Sequence, residues 1–191
     1  MVLMTRWEPD ARGRLQRAAL ELYSERGYDQ TTVTEIARRA GLTERTFFRH
    51  FADKREVLFY GSGLLQERLV LSVDEAPDGL PALDMVGAAL VAAAGPMQEI
   101  RAFALRRQAV IAANPELRER ELIKLAALAA ALADALRGRG VPEPAASLAA
   151  EAGVAVFKIA FLRWTDSCGT EPLAEIIRQS LAELKAVGAG N

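Results

Sequence analysis

Residues 31–58 contain two closely spaced helix-start signals, and these signals limit how the chain can fold. Thr32 and Glu35 have the spacing of a capping box, in which each side chain binds a backbone amide of the first helical turn. Gly41 can adopt the left-handed backbone that ends a helix, and Thr43 can cap the helix that follows. The segment therefore predicts two short helices joined by a tight turn, the helix-turn-helix arrangement that places one helix in the major groove of DNA.

The second of these helices, over residues 44–51, has two predicted faces. Phe47 and Phe51 lie four residues apart and would share a buried face. The opposite face carries arginine, glutamate and threonine, which can bind guanine, cytosine and the thymine methyl group respectively. The predicted DNA contacts are Thr32, Thr43, Glu44, Arg45, Thr46, Phe48, Arg49, His50 and Lys54.

Asp53 and Glu56 have the spacing of a second capping box, which predicts that a further helix starts near Lys54 and continues to Val73. Lys54 and Arg55, two cations in the first turn of that helix, would oppose the helix dipole. A DNA phosphate bound there would remove the conflict, whereas solvation of both cations would cost roughly 0.3 kcal/mol. We favour the phosphate because the segment directly follows the predicted recognition helix.

Residues 12–59 resemble the DNA-binding domain of the tetracycline-repressor (TetR) family of bacterial regulators. The matching segments are residues 18–23, 27–28, 31–33, 36–37, 40–42 and 47–51, with Lys54 and Leu58. The resemblance implies an all-α fold of about nine helices, with a helix-turn-helix domain in residues 1–60 and an effector-binding and dimerisation bundle in residues 61–191. Phe48 departs from the family's usual tyrosine, so one phosphate hydrogen bond worth roughly 0.5–1.5 kcal/mol is absent. Glu44 and Arg45 also differ from the usual start of this helix and imply a different operator sequence.

Composition limits the class of protein but does not identify its function. The net charge of −1 divides into +2 for residues 1–60, with 11 basic and 9 acidic residues, and −3 for residues 61–191, with 13 and 16. DNA affinity would therefore depend on a few well-placed cations. The longest apolar candidate for a membrane span, residues 85–97, is too short. Residues 1–14 lack a signal-peptide core, and Cys168 is the only cysteine and is predicted to be an ordinary thiol, which together favour a cytoplasmic protein.

The rest of the chain predicts helices separated by turn-rich segments, with no strand and no repeat. Residues 74–81 form the first break, Gly95-Pro96 predicts a helix end, and Asn114-Pro115 predicts a helix start. The predicted helices of this region cover residues 82–94, 97–113, 115–137, 145–165 and 171–187.

The last two predicted helices indicate a dimer. Residues 152–164 contain only two charges, Lys158 and Arg163, so the helix needs apolar cover on both sides. Pairing with the amphipathic final helix and with a symmetry copy would supply this cover, although a central helix in a monomer is the alternative. Dimerisation through the last helices is also what the resemblance implies. The predicted interface residues are Val156, Ile159, Phe161, Leu173, Ile176, Ile177, Leu181 and Leu184.

The resemblance further implies a pocket for a small, apolar effector, whose binding would tilt the helix that links the two domains and change the separation of the recognition helices. The candidate lining residues are Met85, Met97, Phe103, Phe157, Phe161 and Trp164. Ordinary core packing is the more common role of such residues. Arg106 and Arg107 could meet an anionic effector, with solvation or a salt bridge as the alternative.

An enzyme is disfavoured because the sole histidine, His50, lies in the recognition helix, and no histidine or cysteine cluster could hold a metal. Glu119 and Glu121 are interpreted as solvated. We therefore expect no catalytic site and no cofactor. The predicted function is a homodimeric transcriptional repressor of a palindromic DNA operator, released by an effector. The alternatives are an activator and an interaction module that has lost DNA binding.

Overall fold

The computed structural model describes residues 10–166 and 171–190, and its regular structure within those ranges is helical throughout. The predicted all-α class is therefore confirmed, while Cys168 lies outside the described residues. The α-helices are α1 (Ala11–Arg26), α2 (Val33–Arg39), α3 (Glu44–His50), α4 (Tyr60–Asp74), α5 (Ala82–Glu99), α6 (Arg101–Ala113), α7 (Pro115–Gly138), α8 (Ala145–Asp166) and α9 (Leu173–Ala189), with a short 3₁₀ helix over Glu56–Phe59.

The buried apolar side chains form two clusters. The first joins α1, α2 and α3 to the 3₁₀ helix, and we call this unit the head. Three side chains of the head cluster come from the second half of the chain, namely Val110 and Ile111 of α6 and Leu117 of α7. The head core is therefore completed by α6 and α7, so a boundary at residue 60 does not separate two independent cores.

The second cluster lies between α4, α5, α7, α8 and α9, with α5 packed against α4, α8 and α9. Two glycines allow this close packing. A Cβ added to Gly87 would lie 2.7 Å from Leu181 of α9, and one added to Gly153 of α8 would lie 2.3 Å from Val86 of α5. The three helices approach each other more closely there than larger side chains would permit.

The predicted helix end at Gly95-Pro96 is wrong. Helix α5 continues through Pro96 to Glu99, and the break falls at Ile100 instead. A proline removes one helical hydrogen bond, but its fixed φ remains compatible with a helix. Tertiary bonds hold the extra turn in place, since the Gln98 side-chain oxygen accepts from the Trp164 indole N–H at 3.1 Å and from the Leu173 amide at 3.4 Å.

The predicted helix start near Lys54 falls two residues later, at Glu56, where the 3₁₀ helix begins and leads directly into α4. Asp53 accepts hydrogen bonds from the amides of Arg55 and Glu56, at 2.8 and 3.2 Å, but these close a turn, and α4 begins only at Tyr60. The reciprocal half of the capping box is missing because the Glu56 carboxylate pairs with α7. Residue spacing alone could not distinguish these two uses of the same glutamate.

Helix α8 is the one helix in the described ranges that is long and apolar enough to cross a membrane by length and composition, with a mean hydropathy of 1.7. Residues 85–97 were thus not the strongest candidate. In the structure α8 is instead a bundle helix that packs against α5, α7 and α9. Only 44% of its apolar window is buried within the protomer, so a substantial apolar face remains exposed.

Candidate nucleic-acid interface

The first helix of the predicted motif is held by the capping box that the sequence predicts. Thr32 Oγ1 accepts from the Glu35 amide at 3.3 Å, and the Glu35 carboxylate accepts from the Thr32 amide at 3.0 Å. At the other end of α2, Gly41 has a φ of 66°, which allows the Leu42 amide to bond to the Ala37 carbonyl at 2.8 Å. These contacts fix the tight turn before α3.

Helix α3 is anchored through its inner face. Phe47 is fully buried and Phe51 nearly so, as the four-residue spacing predicts. Their ring centroids lie 5.7 Å apart, and Phe51 meets Tyr60 of α4 edge-on at 6.2 Å. Thr43 caps the helix by accepting from the Thr46 amide at 3.2 Å. Because this face is fixed by aromatic packing, the opposite face of α3 has a defined orientation.

The outer face of α3 is open. Glu44, Arg45, Phe48 and Arg49 are exposed, with 56% of Phe48 accessible, whereas Thr46 and His50 are half-buried. Thr32 and Thr43 are also exposed, although the hydroxyl of each already serves as a helix cap. Seven of the nine predicted contact residues thus lie on α3 or at its N-cap, and Thr32 lies at the N-cap of α2.

His50 lies at the end of α3 and faces back toward α1. Its Nδ1 accepts from Arg12 Nε at 3.4 Å, and its buried Nε2 has no partner among the described residues. Burial lowers the pKa of His50, and the nearby charges of Arg49 and Arg12 lower that pKa further. Both effects favour the neutral form of the imidazole.

Lys54, the ninth predicted contact, has a different environment. Its amine donates to the carbonyls of Tyr28 and Thr31 at 2.9 and 3.1 Å, and it lies 4.2 Å from the centroid of the Tyr28 ring. The Lys54 carbonyl in turn accepts from the Tyr23 hydroxyl at 2.6 Å. Lys54 therefore holds the loop between α1 and α2 in place, and a phosphate contact by Lys54 stays a prediction.

Contacts between the head and the C-terminal bundle were missed by the sequence analysis. Arg107, one of the two candidates for an anionic effector, is largely buried and donates to the Leu58 carbonyl at 2.7 Å. It also lies 4.9 Å from the Phe59 ring centroid and 3.4 Å from Glu121. Glu121 is thus paired and only partly exposed, which corrects its interpretation as solvated, whereas Glu119 is exposed as expected.

A second contact between the two parts is ionic. Glu56 of the 3₁₀ helix pairs with Arg120 and with Lys124 of α7, the latter at 3.1 Å. Burial acts to raise the pKa of Glu56, but the hydrogen bonds from these two cations outweigh burial, and the pKa is lowered. The charges on α7 could have been seen in the sequence, but their partner could not, because the two segments are 64 residues apart.

Most of the candidate pocket residues lie together in the C-terminal core. Trp164 is fully buried, and Phe161 contacts both Trp164 and Phe157, at centroid distances of 5.6 and 5.8 Å. Met85 is buried in the same cluster, and Met97 is half-buried against it. Phe103 is the exception, since it packs against the head core.

The predicted dimer residues are largely used within one protomer. Val156, Leu173, Ile176 and Ile177 are buried in the chain's own core, so they offer little surface to a second copy. Phe161, Leu181 and Leu184 are half-buried against the same core. Only Ile159 is well exposed, at 56%. The amphipathic stripe of α9 is satisfied by α5 and α8, and periodicity alone cannot tell an internal partner from an external one.

A helix-turn-helix head with a polar recognition face, mounted on a helical bundle, defines a class of DNA-binding regulators. Residues 15–60 match the family model of bacterial regulatory proteins of the TetR family, and residues 80–188 match the model of the MftR C-terminal domain. The chain therefore belongs to the TetR family of transcriptional regulators, which are not enzymes.

Two curated relatives each match less than half of the chain. The HTH-type transcriptional regulator TcmR of Streptomyces glaucescens is 36% identical over 88 residues, 46% of this chain and 39% of TcmR. HbdR of Aromatoleum sp. is 38% identical over 50 residues, 26% of this chain and 22% of HbdR. The matched segment thus spans about two fifths or less of the length of these relatives.

Solved structures match over nearly the whole length. Thermus thermophilus FadR, a TetR-family repressor in complex with lauroyl-CoA, is 26% identical with a TM-score of 0.55, covering 91% of this chain and 93% of FadR. Bacillus subtilis FadR, in complex with stearoyl-CoA, is 20% identical with a TM-score of 0.62, covering 90% and 96%. The second of these likenesses concerns the fold alone.

The contacts of Lys54 lead to a testable prediction. Lys54→Met should lower the free energy of unfolding of the full chain by about 1–3 kcal/mol, because the loop carbonyls lose their charged donor. The salt dependence of DNA binding should not change. The matched control is Arg55→Met, which removes an exposed neighbouring cation paired with Asp53 and should cost less than about 0.5 kcal/mol.

Urea unfolding and DNA titrations at several salt concentrations make the comparison. If Lys54→Met is as stable as the parent and the slope of log affinity against log salt concentration falls by about one, Lys54 contacts a phosphate. That result would contradict its role in holding the loop.

Proposed function

We propose that this TetR-family regulator acts in the cytoplasm as a homodimeric repressor that binds a palindromic DNA operator through α3 and is released by a small-molecule effector. The observation that carries the proposal is the outer face of α3, which combines exposed Glu44, Arg45 and Arg49 with a rigid aromatic anchor beneath it. Repression follows because occupancy of a promoter alone is enough to exclude polymerase.

The distribution of paired and unpaired cations supports DNA binding despite the net charge of −1. On α1 and α2, Arg39 pairs with Glu21 and Glu25, and Arg26 pairs with Glu35. On the recognition helix, Arg45 and Arg49 have no ion-pair partner among the described residues. The two arginines of α3 thus carry charge that no carboxylate neutralises, which contact with phosphates requires.

Substitution of Arg49 tests this assignment. Arg49→Ala should weaken binding to the operator at least about tenfold, since a bidentate base contact or a phosphate contact is lost. The matched control is Arg39→Ala, which makes the same change of charge in the same head but removes an arginine neutralised by two glutamates. Its affinity should stay within about twofold of the parent.

Fluorescence anisotropy with duplex from the upstream region of the protein's own gene, at two salt concentrations, measures both effects. Equal losses for the two variants would mean that only the overall charge matters, and the recognition face would be rejected.

The exposed part of α8 supports a homodimer. Leu148, Ala155, Ile159 and Leu162 are exposed along one side of the helix, at intervals of seven, four and three residues. This spacing keeps the four side chains on one stripe, which is the arrangement by which two helices pack against each other. A second copy of the chain covers this stripe, and two heads are then available for the two halves of a palindrome.

Ile159→Glu tests the dimer. A buried, unpaired carboxylate on each side of the interface should convert the protein to a monomer and weaken operator binding by at least about a hundredfold, because half-sites would be bound singly. Leu71→Glu on α4 is the matched control, since Leu71 is 58% exposed but lies outside the stripe. Analytical ultracentrifugation reports the mass, and an Ile159→Glu variant that remains a dimer would place the interface elsewhere.

Acyl-CoA thioesters are the first effectors to test, because the Thermus and Bacillus FadR proteins are described in complex with lauroyl-CoA and stearoyl-CoA. Entry of an acyl chain would require half-buried Met97 and Phe161 to move from the C-terminal core. Lauroyl-CoA should raise the melting temperature and release the operator, whereas free CoA should do neither. An unchanged operator affinity at saturating lauroyl-CoA would exclude this effector class.

A reporter gene placed behind the operator separates repression from activation. Deletion of the regulator should raise expression if it represses and lower expression if it activates.

A further inference from the structure

Thr34 and Glu44 connect the two helices of the helix-turn-helix. Thr34 lies in the first turn of α2, and Glu44 is the first residue of α3. The Thr34 hydroxyl donates to Glu44 Oε1 at 2.6 Å, although the two residues are ten positions apart. This distance is in the short range expected for a hydroxyl bound to a carboxylate.

Glu44 differs from the neighbouring acidic residues of the head in how it is held. Glu21, Glu25 and Glu35 each pair with an arginine, which neutralises their charge. Glu44 has no cationic partner among the described residues, and its hydrogen-bond partner is a neutral hydroxyl. Its position is therefore fixed while its negative charge remains available.

A fixed, un-neutralised carboxylate has a defined chemistry in the major groove. It repels guanine N7 and O6 and thymine O4, which are acceptors, and it binds the exocyclic amino group of cytosine or adenine. It also repels the phosphates, so it weakens binding to every site that offers no amino group at that position. Specificity of this kind comes from rejection of the wrong sites as much as from attraction to the right one.

We propose that Thr34 is a positioning residue for sequence recognition. Its hydroxyl holds one oxygen of Glu44 so that the other oxygen accepts from a cytosine N4 or adenine N6 amino group in each half-site. This inference rests on the proposed function, because it requires α3 to lie in the major groove.

The hydrogen bond matters most in the complex. Both side chains are exposed in the unbound protein, where water competes for the same groups. Against the base edges water is displaced and the bond becomes stronger. A glutamate already confined to one orientation also loses less side-chain entropy on binding than a freely rotating one.

The experiment begins with selection of bound duplexes from a randomised library by the full-length protein and by Glu44→Gln. The base pair at which their preferences differ is the pair that Glu44 contacts. The glutamine variant should shift the preference at that pair toward adenine, because an amide both donates and accepts. Titrations with the four single-base versions of that pair then compare the parent, Thr34→Val and Thr34→Ser.

Thr34→Val has nearly the same shape as threonine without the hydroxyl, and it should reduce discrimination at this one pair by about three- to tenfold. Thr34→Ser keeps the hydroxyl and should retain the discrimination of the parent. Discrimination at all other pairs, and the melting temperature, should change little in both variants.

The outcomes separate the two proposals. If the parent selects a site but Thr34→Val discriminates as well as the parent, or loses discrimination equally at every pair, the positioning role of Thr34 is overturned while the proposed function stands. If Glu44→Gln selects the same site as the parent, Glu44 contacts no base and the inference is also overturned. A parent protein that selects no sequence overturns the proposed function and this inference with it.

Discussion

The position of the recognition helix depends on apolar packing between the head and the helices α6 and α7. A unit of about 50 residues buries too little surface to be securely stable alone. Here Val110, Ile111 and Leu117 complete the core that also contains Phe47, the anchor of α3. The orientation of the DNA-binding face is thus tied to the bundle by shared core packing, which resists small displacements because protein interiors are closely packed.

Hydrogen bonds and ion pairs also connect the head to α6 and α7. Arg107 binds the backbone at Leu58, and Arg120 and Lys124 bind Glu56, so α6 and α7 both contact the 3₁₀ helix of the head. These contacts join α6 and α7 directly to the segment between the recognition helix and α4. Such a connection is the physical requirement for an effector in the bundle to alter DNA binding, because the two states must differ in the placement of the head.

The positions of individual charges on α3 matter more for DNA binding than the net charge of the protein. Residues 1–60 carry a net charge of only +2. Arg26 of α1 and Arg39 of α2 are paired with carboxylates of the same two helices. Arg45 and Arg49, on the outer face of α3, have no such partner among the described residues. Glu44 adds a negative charge to the same face, which favours selectivity over general affinity for DNA.

Local sequence signals predicted the helix-turn-helix correctly because short-range chemistry determines it. The capping box of Thr32 and Glu35, the left-handed Gly41 and the spacing of Phe47 and Phe51 act within a few residues of each other. The same reasoning failed where distant residues competed for a local signal. Asp53 and Glu56 have the spacing of a cap, but the glutamate pairs with α7 instead.

Helices α8 and α9 show the same difference between local signals and distant partners. Periodicity identified which side of α9 is apolar, and only the tertiary structure showed that α5 and α8 of the same protomer cover that side. The sequence by itself thus determined the helical class, the recognition motif and its outward residues, because helix caps and side-chain periodicity are local. Tertiary structure decided where Lys54 and Arg107 bind and which face of α8 stays uncovered, because those outcomes depend on partners far away in the chain.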